Sequence, residues 1–278
     1  MFELTSEIGL FIVCIAFIAE YVDSTLGMGY GTTLTPILLL MGFNPLQVVP
    51  AILLSELITG LLAGFTHHSV GNVNFKPKTM NIKKIYLAIK KLGISESFDR
   101  GVPQNLKVAL LIGSTSIAGT VMAVLIAVNI PAFYLKLYIG ILILAVGVVI
   151  LLTLNKNFVF SWKKLTTLSM IASFNKGMSG GGYGPVITGG QLLAGVDGKN
   201  AIGITSLAEG LTCIVGVLAY LFTEASEDWV LAPYLVIGAV ISVPVSALTV
   251  RRIQTKKLRG AIGVLTVILG LFALIKMI

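Results

Sequence analysis

The sequence predicts an all-α polytopic membrane protein with two inverted-topology repeats, each a broken helical hairpin plus three transmembrane helices. Three observations support this fold class. The 278 residues are 56% hydrophobic and only 12% charged, whereas a soluble domain carries about 25% charged residues. Long uncharged apolar runs recur along the chain, and one glycine-rich pattern occurs twice. Lipid is the solvent that fits such a composition.

Six apolar runs approach the length of a spanning helix, which needs about 20 residues. They lie at residues 45–66, 105–128, 132–154, 198–222, 229–250 and 258–277. Four further apolar segments are too short to cross comfortably, at residues 8–22, 30–41, 165–175 and 184–194. Each successive pair of short segments flanks one copy of the glycine pattern. We therefore expect two broken hairpins, which either dip into the membrane and return or cross a locally thin bilayer.

The glycine pattern is a true duplication. Its copies occupy residues 23–31 and 176–184, and Glu56 and Glu209 follow them at the same spacing. A constant offset of 153 residues relates the copies. It pairs Gly27 with Gly180, Gly29 with Gly182, Tyr30 with Tyr183, and Gly31 with Gly184. A repeated, glycine-interrupted hydrophobic segment is typical of the binding site of a repeat-built transporter.

Charge bias predicts how the helices are oriented, because positively charged loops stay on the cytoplasmic side. The basic stretches are 67–107, 155–164 and 251–259. The acidic loop at 224–228 is expected outside. Span 45–66 then runs inward and its equivalent 198–222 runs outward, so the two repeats are inverted. Both chain termini are expected outside.

The duplication divides the chain into a first repeat at 1–154, with a basic cytoplasmic loop at 67–104, and a second, inverted repeat at 155–278. Within the loop, residues 82–92 place apolar side chains at helical spacing between lysines. This segment either lies on the inner leaflet as an interfacial helix or only fixes the topology. Because the net charge of +8 is concentrated in such loops, we expect no nucleic-acid partner.

The glycine breaks predict a binding site. A broken helix is tolerated in hydrocarbon only where protein or a water-filled cavity surrounds it. The second half-helices should start near Gly31 and at Gly184-Pro185, since proline is favoured at a first helical position. Their free N–H groups and positive dipole ends would attract a small anion. Alternatively, the glycines only let helices pack tightly.

The predicted anion-binding residues come from both copies of the pattern. Glycines allow the backbone to approach the ligand, and the lysine supplies positive charge. These residues are Gly27, Gly29, Tyr30, Gly31, Thr32, Lys176, Ser179, Gly180, Gly181, Gly182, Tyr183 and Gly184.

Ionisable residues inside a membrane are costly and indicate function. Asp23 and Lys176 occupy the same repeat position with opposite charge. Either they form an ion pair across the pseudo-twofold axis, or Lys176 binds the anion while Asp23 carries a coupling proton. Glu56 and Glu209 are equivalent carboxylates inside spans, suited either to proton relay or to a hydrogen bond with a half-helix terminus. Asp23, Glu56 and Glu209 are therefore the predicted proton-coupling residues.

Other classes of function fit less well. The sequence offers no nucleophile–base pair on facing helices, no metal-ligand cluster and no Gly-Lys-Ser/Thr phosphate loop, so we expect no enzyme, no metal and no cofactor. A cation carrier would need carboxylates around both breaks, whereas the second copy contains Lys176. A passive anion channel remains an alternative.

Several of these segments resemble a known family. The segments are 23–31, Thr35-Pro36, 54–60, His67-His68, 71–73 and, in the second copy, 180–185. Together they are similar to the sulfite exporter TauE/SafE family of membrane permeases, from about residue 8 to the C-terminus. The resemblance implies export of small anions, such as sulfite or organosulfonates, tied to the proton gradient. We therefore expect an alternating-access secondary transporter in the plasma membrane, with its oligomeric state left open.

Overall fold

The computed structural model describes residues 6–153, 162–193, 196, 198–223, 229–250, 252 and 255–275. In these residues the chain forms eleven helices and no strand. The helices are α1 (Ser6–Leu26), α2 (Tyr30–Leu40), α3 (Pro45–Ser69), α4 (Ile82–Gly101), α5 (Gln104–Ala127), α6 (Ala132–Leu152), α7 (Trp162–Ser179), α8 (Tyr183–Leu193), α9 (Gly198–Phe222), α10 (Leu231–Thr249) and α11 (Thr255–Ile275).

Six helices are long and apolar enough to cross a membrane, namely α1, α3, α5, α6, α9 and α10. The predicted all-α, multi-span architecture is thereby confirmed. One detail of the prediction is wrong, because the apolar run at 8–22 belongs to a 21-residue helix rather than a short one. At 1.5 Å per residue α1 is about 31 Å long, whereas the 11 residues of α2 reach only about 16 Å. The first broken hairpin therefore has one long and one short arm.

The packing of the helices links the two halves of the chain. α1 packs on α10, and its counterpart α7 packs on α5. α3 packs on both α9 and α10, and correspondingly α9 packs on both α3 and α5. α6 packs on α11. Exchanging the two halves reproduces these pairings, which is compatible with the predicted inverted repeat. Each half therefore buries its apolar faces largely against the other half.

Helices α3 and α9 cross at close range in the centre of the molecule. A Cβ atom on Gly60 would lie 2.8 Å from the backbone nitrogen of Gly210, and one on Gly210 would lie 2.8 Å from the nitrogen of Leu61. Small residues bring helix backbones together in this way in membranes. The start of α3 is well determined, since Asn44 and Gln47 form a capping box and Pro45 occupies the first helical position.

Large apolar side chains cover the outside of the bundle. Phe65, Met122 and Leu248 are each more than half exposed. In water such a surface would cause aggregation, but a helical membrane protein turns it toward the lipid tails. The exposed side chains therefore agree with the membrane assignment made from the composition.

The basic loop contains α4, which begins at the Asn81 cap and kinks at Gly93. None of its residues is buried, and its lysines and apolar residues alternate at helical spacing as the sequence predicted. Whether α4 lies on the inner leaflet stays a prediction. Parts of the other charged stretches used to orient the chain, at 154–161, 224–228, 251 and 253–254, lie outside the described residues.

The predicted orientation can be tested by cysteine labelling in a background with Cys14→Ser and Cys213→Ser. A cysteine replacing Lys83 on α4 should react with a membrane-impermeant maleimide only after the cells are permeabilised, because the basic loop is expected to be cytoplasmic. A cysteine replacing the exposed Asn129, between α5 and α6, should react in intact cells. The reverse labelling pattern would invert the assigned topology.

Candidate functional site

Both predicted helix breaks are present, and each contains two glycines with positive φ at equivalent repeat positions. Gly27 and Gly180 have φ values of 69° and 71°, and Gly29 and Gly182 have φ values of 133° and 78°. These are left-handed conformations that glycine adopts without a steric penalty. The 153-residue offset therefore relates the positions in the structure as well as in the sequence.

The two breaks lie against each other. A Cβ atom on Gly31 would overlap the carbonyl oxygen of Gly180, and the equivalent atom on Gly184 would overlap the carbonyl oxygen of Gly27. Each break thus packs against the start of the other hairpin's second helix. The two copies of the pattern, which are distant in the chain, form one structural centre.

Hydrogen bonds fasten the two hairpins together. The amide of Gly182 donates to Thr32 Oγ1 at 3.0 Å, Thr35 Oγ1 donates to the carbonyl of Ser179 at 2.7 Å, and Thr188 Oγ1 donates to the carbonyl of Gly27 at 2.6 Å. All of these groups are buried. Threonine hydroxyls therefore satisfy backbone groups that the broken helices leave unpaired.

The amides at the start of α2 bind carboxylates of the protein itself. The N–H of Tyr30 donates to Asp23 Oδ1 and the N–H of Gly31 donates to Glu56 Oε1, both at 3.3 Å. The sequence led us to expect that these amides would be free for an anion. Of the two roles considered for Glu56, the structure contains the hydrogen bond to a half-helix terminus.

Lys176 lies at the centre of an ion cluster. Its side chain is 1% exposed, and its ammonium group pairs with Glu209 Oε1 at 2.6 Å and with Glu56 Oε2. α7 therefore carries a cation between carboxylates of α3 and α9. Of the two alternatives considered for Asp23 and Lys176, the ion pair between them is absent, because the ion-pair partners of Lys176 are the two glutamates.

Glu20 is a buried acidic residue that the sequence analysis did not single out. It lies on α1, where it accepts hydrogen bonds from Ser24 Oγ at 2.6 Å and from Thr59 Oγ1 at 3.2 Å. The sequence does contain a signal for this residue, since Glu20 is an ionisable residue inside the apolar run at 8–22 that leads to the first break. The 153-residue offset pairs Glu20 with the uncharged Ser173, so the repeat does not duplicate this charge.

The cluster contains more acidic than basic groups. Besides Glu56 and Glu209, the buried carboxyl groups of Asp23 and Glu20 interact electrostatically with the cluster. Lys176 is the one buried lysine or arginine in the described part of the chain. Like charges repel more strongly inside a protein than in water. A cluster of this composition is therefore suited to holding and exchanging protons.

The two tyrosines of the pattern are fully buried. The hydroxyl of Tyr30 is 2.7 Å from Ser55 Oγ, and the hydroxyl of Tyr183 accepts a hydrogen bond from Thr212 Oγ1 at 3.3 Å. Both hydroxyls therefore contact polar groups of the central helices α3 and α9. Their predicted role in anion binding stays a prediction.

His67 fastens the end of α1 to α3. Its Nε2 is 3.0 Å from the carbonyl oxygen of Ser24, and its Nδ1 is 3.0 Å from the amide nitrogen of Asn72. Because that carbonyl can only accept and the Asn72 NH₂ group can only donate, the ring is neutral with its proton on Nε2. The described residues contain no group of His, Cys, Asp and Glu side chains that could hold a metal ion.

A polytopic helical protein whose two broken hairpins meet at a buried ion cluster has the architecture of a membrane transporter. The chain belongs to the sulfite exporter TauE/SafE family, since the family model described as "Sulfite exporter TauE/SafE" matches residues 12–80 and 83–273. This confirms the resemblance seen in the sequence. The family is one of membrane transporters, and the chain is a multi-pass member of it.

A similar protein in Bacillus subtilis (strain 168) is named "Probable membrane transporter protein YtnM". The two sequences are 23% identical over 261 residues, which cover 90% of this chain and 77% of the relative. No solved structure matches the chain.

Substitution of glycine at the contact between the breaks should destabilise the protein. In Gly31→Ala the added methyl group would overlap the Gly180 carbonyl, and overpacking of a well-packed core costs about 1–3 kcal/mol or more. We expect a clear fall in the melting temperature of the purified protein in detergent. The matched control is Gly101→Ala, where the new Cβ has no neighbour within 4 Å. Equal melting temperatures for the two variants would contradict the close approach.

Removal of the central cation should destabilise the protein through charge rather than through volume. Lys176→Met leaves Glu56 and Glu209 without their partner, and breaking a buried pair costs about 3–5 kcal/mol. The triple variant Lys176→Met, Glu56→Gln and Glu209→Gln has no unpaired charge at this point, so it should recover most of the lost stability. Thermal unfolding of the parent and both variants in the same detergent measures the difference. A triple variant no more stable than Lys176→Met would show that charge balance is not the cause.

Proposed function

We propose that the chain is a secondary transporter that exports small anions, such as sulfite or organosulfonates, by alternating access and with coupling to protons. The observation that carries this proposal is the Lys176 ammonium, which is buried next to the contact between the two helix breaks. A buried cation at the meeting point of broken helices is suited to an anionic substrate. Membership of the sulfite exporter family supports the same class of substrate.

In this proposal the anion binds where the two breaks meet. Lys176 neutralises its charge, and the small residues of the pattern allow backbone amides to approach it. The binding residues are those predicted from the sequence at 27, 29–32, 176 and 179–184. Asp23, Glu56 and Glu209 carry the coupled proton, and Glu20 joins them because it is buried and interacts electrostatically with Asp23 and Glu209.

The two repeats, 1–154 and 155–278, are the proposed units of the alternating-access cycle. Support comes from the exchange symmetry of the helix contacts, which allows the two halves to adopt each other's conformation. We place the protein in the plasma membrane with both termini outside and the basic loops in the cytoplasm. In the described structure the breaks are in direct contact, which favours a carrier over an open anion channel.

Anion binding can be measured as thermal stabilisation of the purified protein. Sulfite, thiosulfate, methanesulfonate and sulfate are tested separately, and at least one should raise the melting temperature as its concentration increases. The triple variant Lys176→Met, Glu56→Gln and Glu209→Gln should show no such increase, because it lacks the ammonium group. The exposed variant Glu96→Gln should respond like the parent. If an anion stabilised the triple variant as much as the parent, Lys176 would not be part of the anion-binding site.

A transport assay distinguishes a proton-coupled carrier from a passive anion channel. Proteoliposomes with an imposed pH difference should accumulate the stabilising anion above its external concentration, because the proton gradient supplies the energy. A passive channel would only equalise the two concentrations. Accumulation that survives a protonophore, with no membrane potential present, would contradict proton coupling.

A further inference from the structure

We propose that the Glu56 carboxylate occupies the position of the transported anion in the described conformation. Protonation of Glu56 then frees its two partners, the Lys176 ammonium group and the Gly31 amide, to bind the substrate. This inference rests on the proposed function and adds how anion binding and proton binding are coupled. It assigns the binding-linked proton to one of the several carboxyl groups in the cluster.

The contacts of Glu56 are those expected of a bound oxyanion. One carboxylate oxygen, Oε1, accepts the N–H of Gly31 in the first turn of α2 at 3.3 Å. The other oxygen, Oε2, pairs with the buried ammonium group of Lys176. A helix-terminal amide and a lysine are the donors that proteins commonly offer to sulfate, phosphate or carboxylate groups. Glu56 therefore bridges a ready-made pair of anion donors.

Glu209, the repeat equivalent of Glu56, has a different set of contacts. Its carboxylate pairs with Lys176 at 2.6 Å. The amide that would correspond to Gly31 is that of Gly184, and in the described residues no hydrogen bond joins it to Glu209. The duplicated scaffold thus has one carboxylate that bridges both donors and one that holds only the lysine. This asymmetry makes Glu56 the exchangeable group and Glu209 the permanent partner of Lys176.

Charge balance predicts that the anion replaces the Glu56 carboxylate only when Glu56 takes up a proton. When Glu56 takes a proton from solution and a singly charged anion takes its place on Lys176 and Gly31, the total charge of the cluster does not change. An anion that entered without the proton would add a negative charge to a site already rich in carboxylates, and such a charge is strongly disfavoured in a buried environment. One anion and one proton should therefore bind together, and export by this cycle then follows the outward gradient of the anion.

The titratable groups that face Glu56 must be considered in any test of pH dependence. The groups that interact electrostatically with Glu56 are Asp23 on α1, Tyr30 on α2, Lys176 on α7, and Glu209 and Cys213 on α9. Glu20 on α1 in turn interacts with Asp23 and Glu209. Of these groups, Lys176 alone forms an ion pair with Glu56. Protonation of Glu56 therefore leaves more of the positive charge of Lys176 available to a ligand.

Isothermal titration calorimetry of the purified protein can count the protons. Methanesulfonate and thiosulfate serve as probes because their charges do not change between pH 5 and pH 9. In buffers with different ionisation enthalpies, the parent should take up about one proton per methanesulfonate and at least one per thiosulfate. With one linked proton, the affinity should fall about tenfold per pH unit in the range where Glu56 is ionised.

Glu56→Gln removes the competing charge and keeps the shape of the side chain. In this variant the proton uptake should disappear, and at pH 8 the probe should bind at least tenfold more tightly than to the parent. The matched control is Glu96→Gln on α4, which removes the charge of an exposed glutamate outside the cluster and should still take up the proton. Proton uptake by Glu56→Gln equal to that of the parent would overturn the inference.

The outcomes separate this inference from the proposed function. If the parent binds neither probe, nor sulfite nor sulfate, both fail. If the parent binds a probe without taking up a proton, the inference fails while anion binding stands. That measurement needs no variant, so it can overturn the inference even if Glu56→Gln does not fold.

Discussion

The ammonium group of Lys176, held between the carboxylates of Glu56 and Glu209, is the interaction on which the centre of this protein depends. The lysine belongs to α7 and the carboxylates to α3 and α9, so three helices from both halves must meet at one point. A lone charge would be costly at such a buried position, whereas a paired charge is tolerated. The pairing also brings the two helix breaks to the ion cluster, because Lys176 lies one turn before Gly180.

The backbone of the centre is nearly symmetric, while its side chains are not. Gly27 and Gly180 share the same left-handed conformation, and each break packs on the other hairpin in the same way. In contrast, Asp23 occupies the repeat position equivalent to Lys176, and Glu20 the position equivalent to Ser173. A symmetric scaffold can provide two related conformations of similar energy, and the asymmetric set of charges agrees with the single anion site proposed here. Both properties suit an alternating-access transporter.

Family membership and site geometry contribute different information. The match to the sulfite exporter family defines the class of protein, a multi-pass membrane transporter. The geometry shows how a cation can be kept inside an acidic cluster, with Glu56 bound both to Lys176 and to the first turn of α2. The carboxylates of Asp23 and Glu56 therefore satisfy the first two amides of α2 in the described conformation.

The sequence by itself determined the membrane class, the main spans and the positions of both breaks, because hydropathy and glycine spacing are local properties of the chain. It also indicated that Asp23, Lys176, Glu56 and Glu209 matter, since ionisable residues in apolar segments are rare. Only the tertiary structure decided which of these groups pair. Lys176 contacts the two glutamates rather than Asp23 because helix packing, not repeat position, sets the distances between residues far apart in the chain. Tertiary contacts also explain why α1 continues past its apolar run. The Tyr30 amide satisfies Asp23, so the polar residue that ends the hydrophobic pattern does not end the helix.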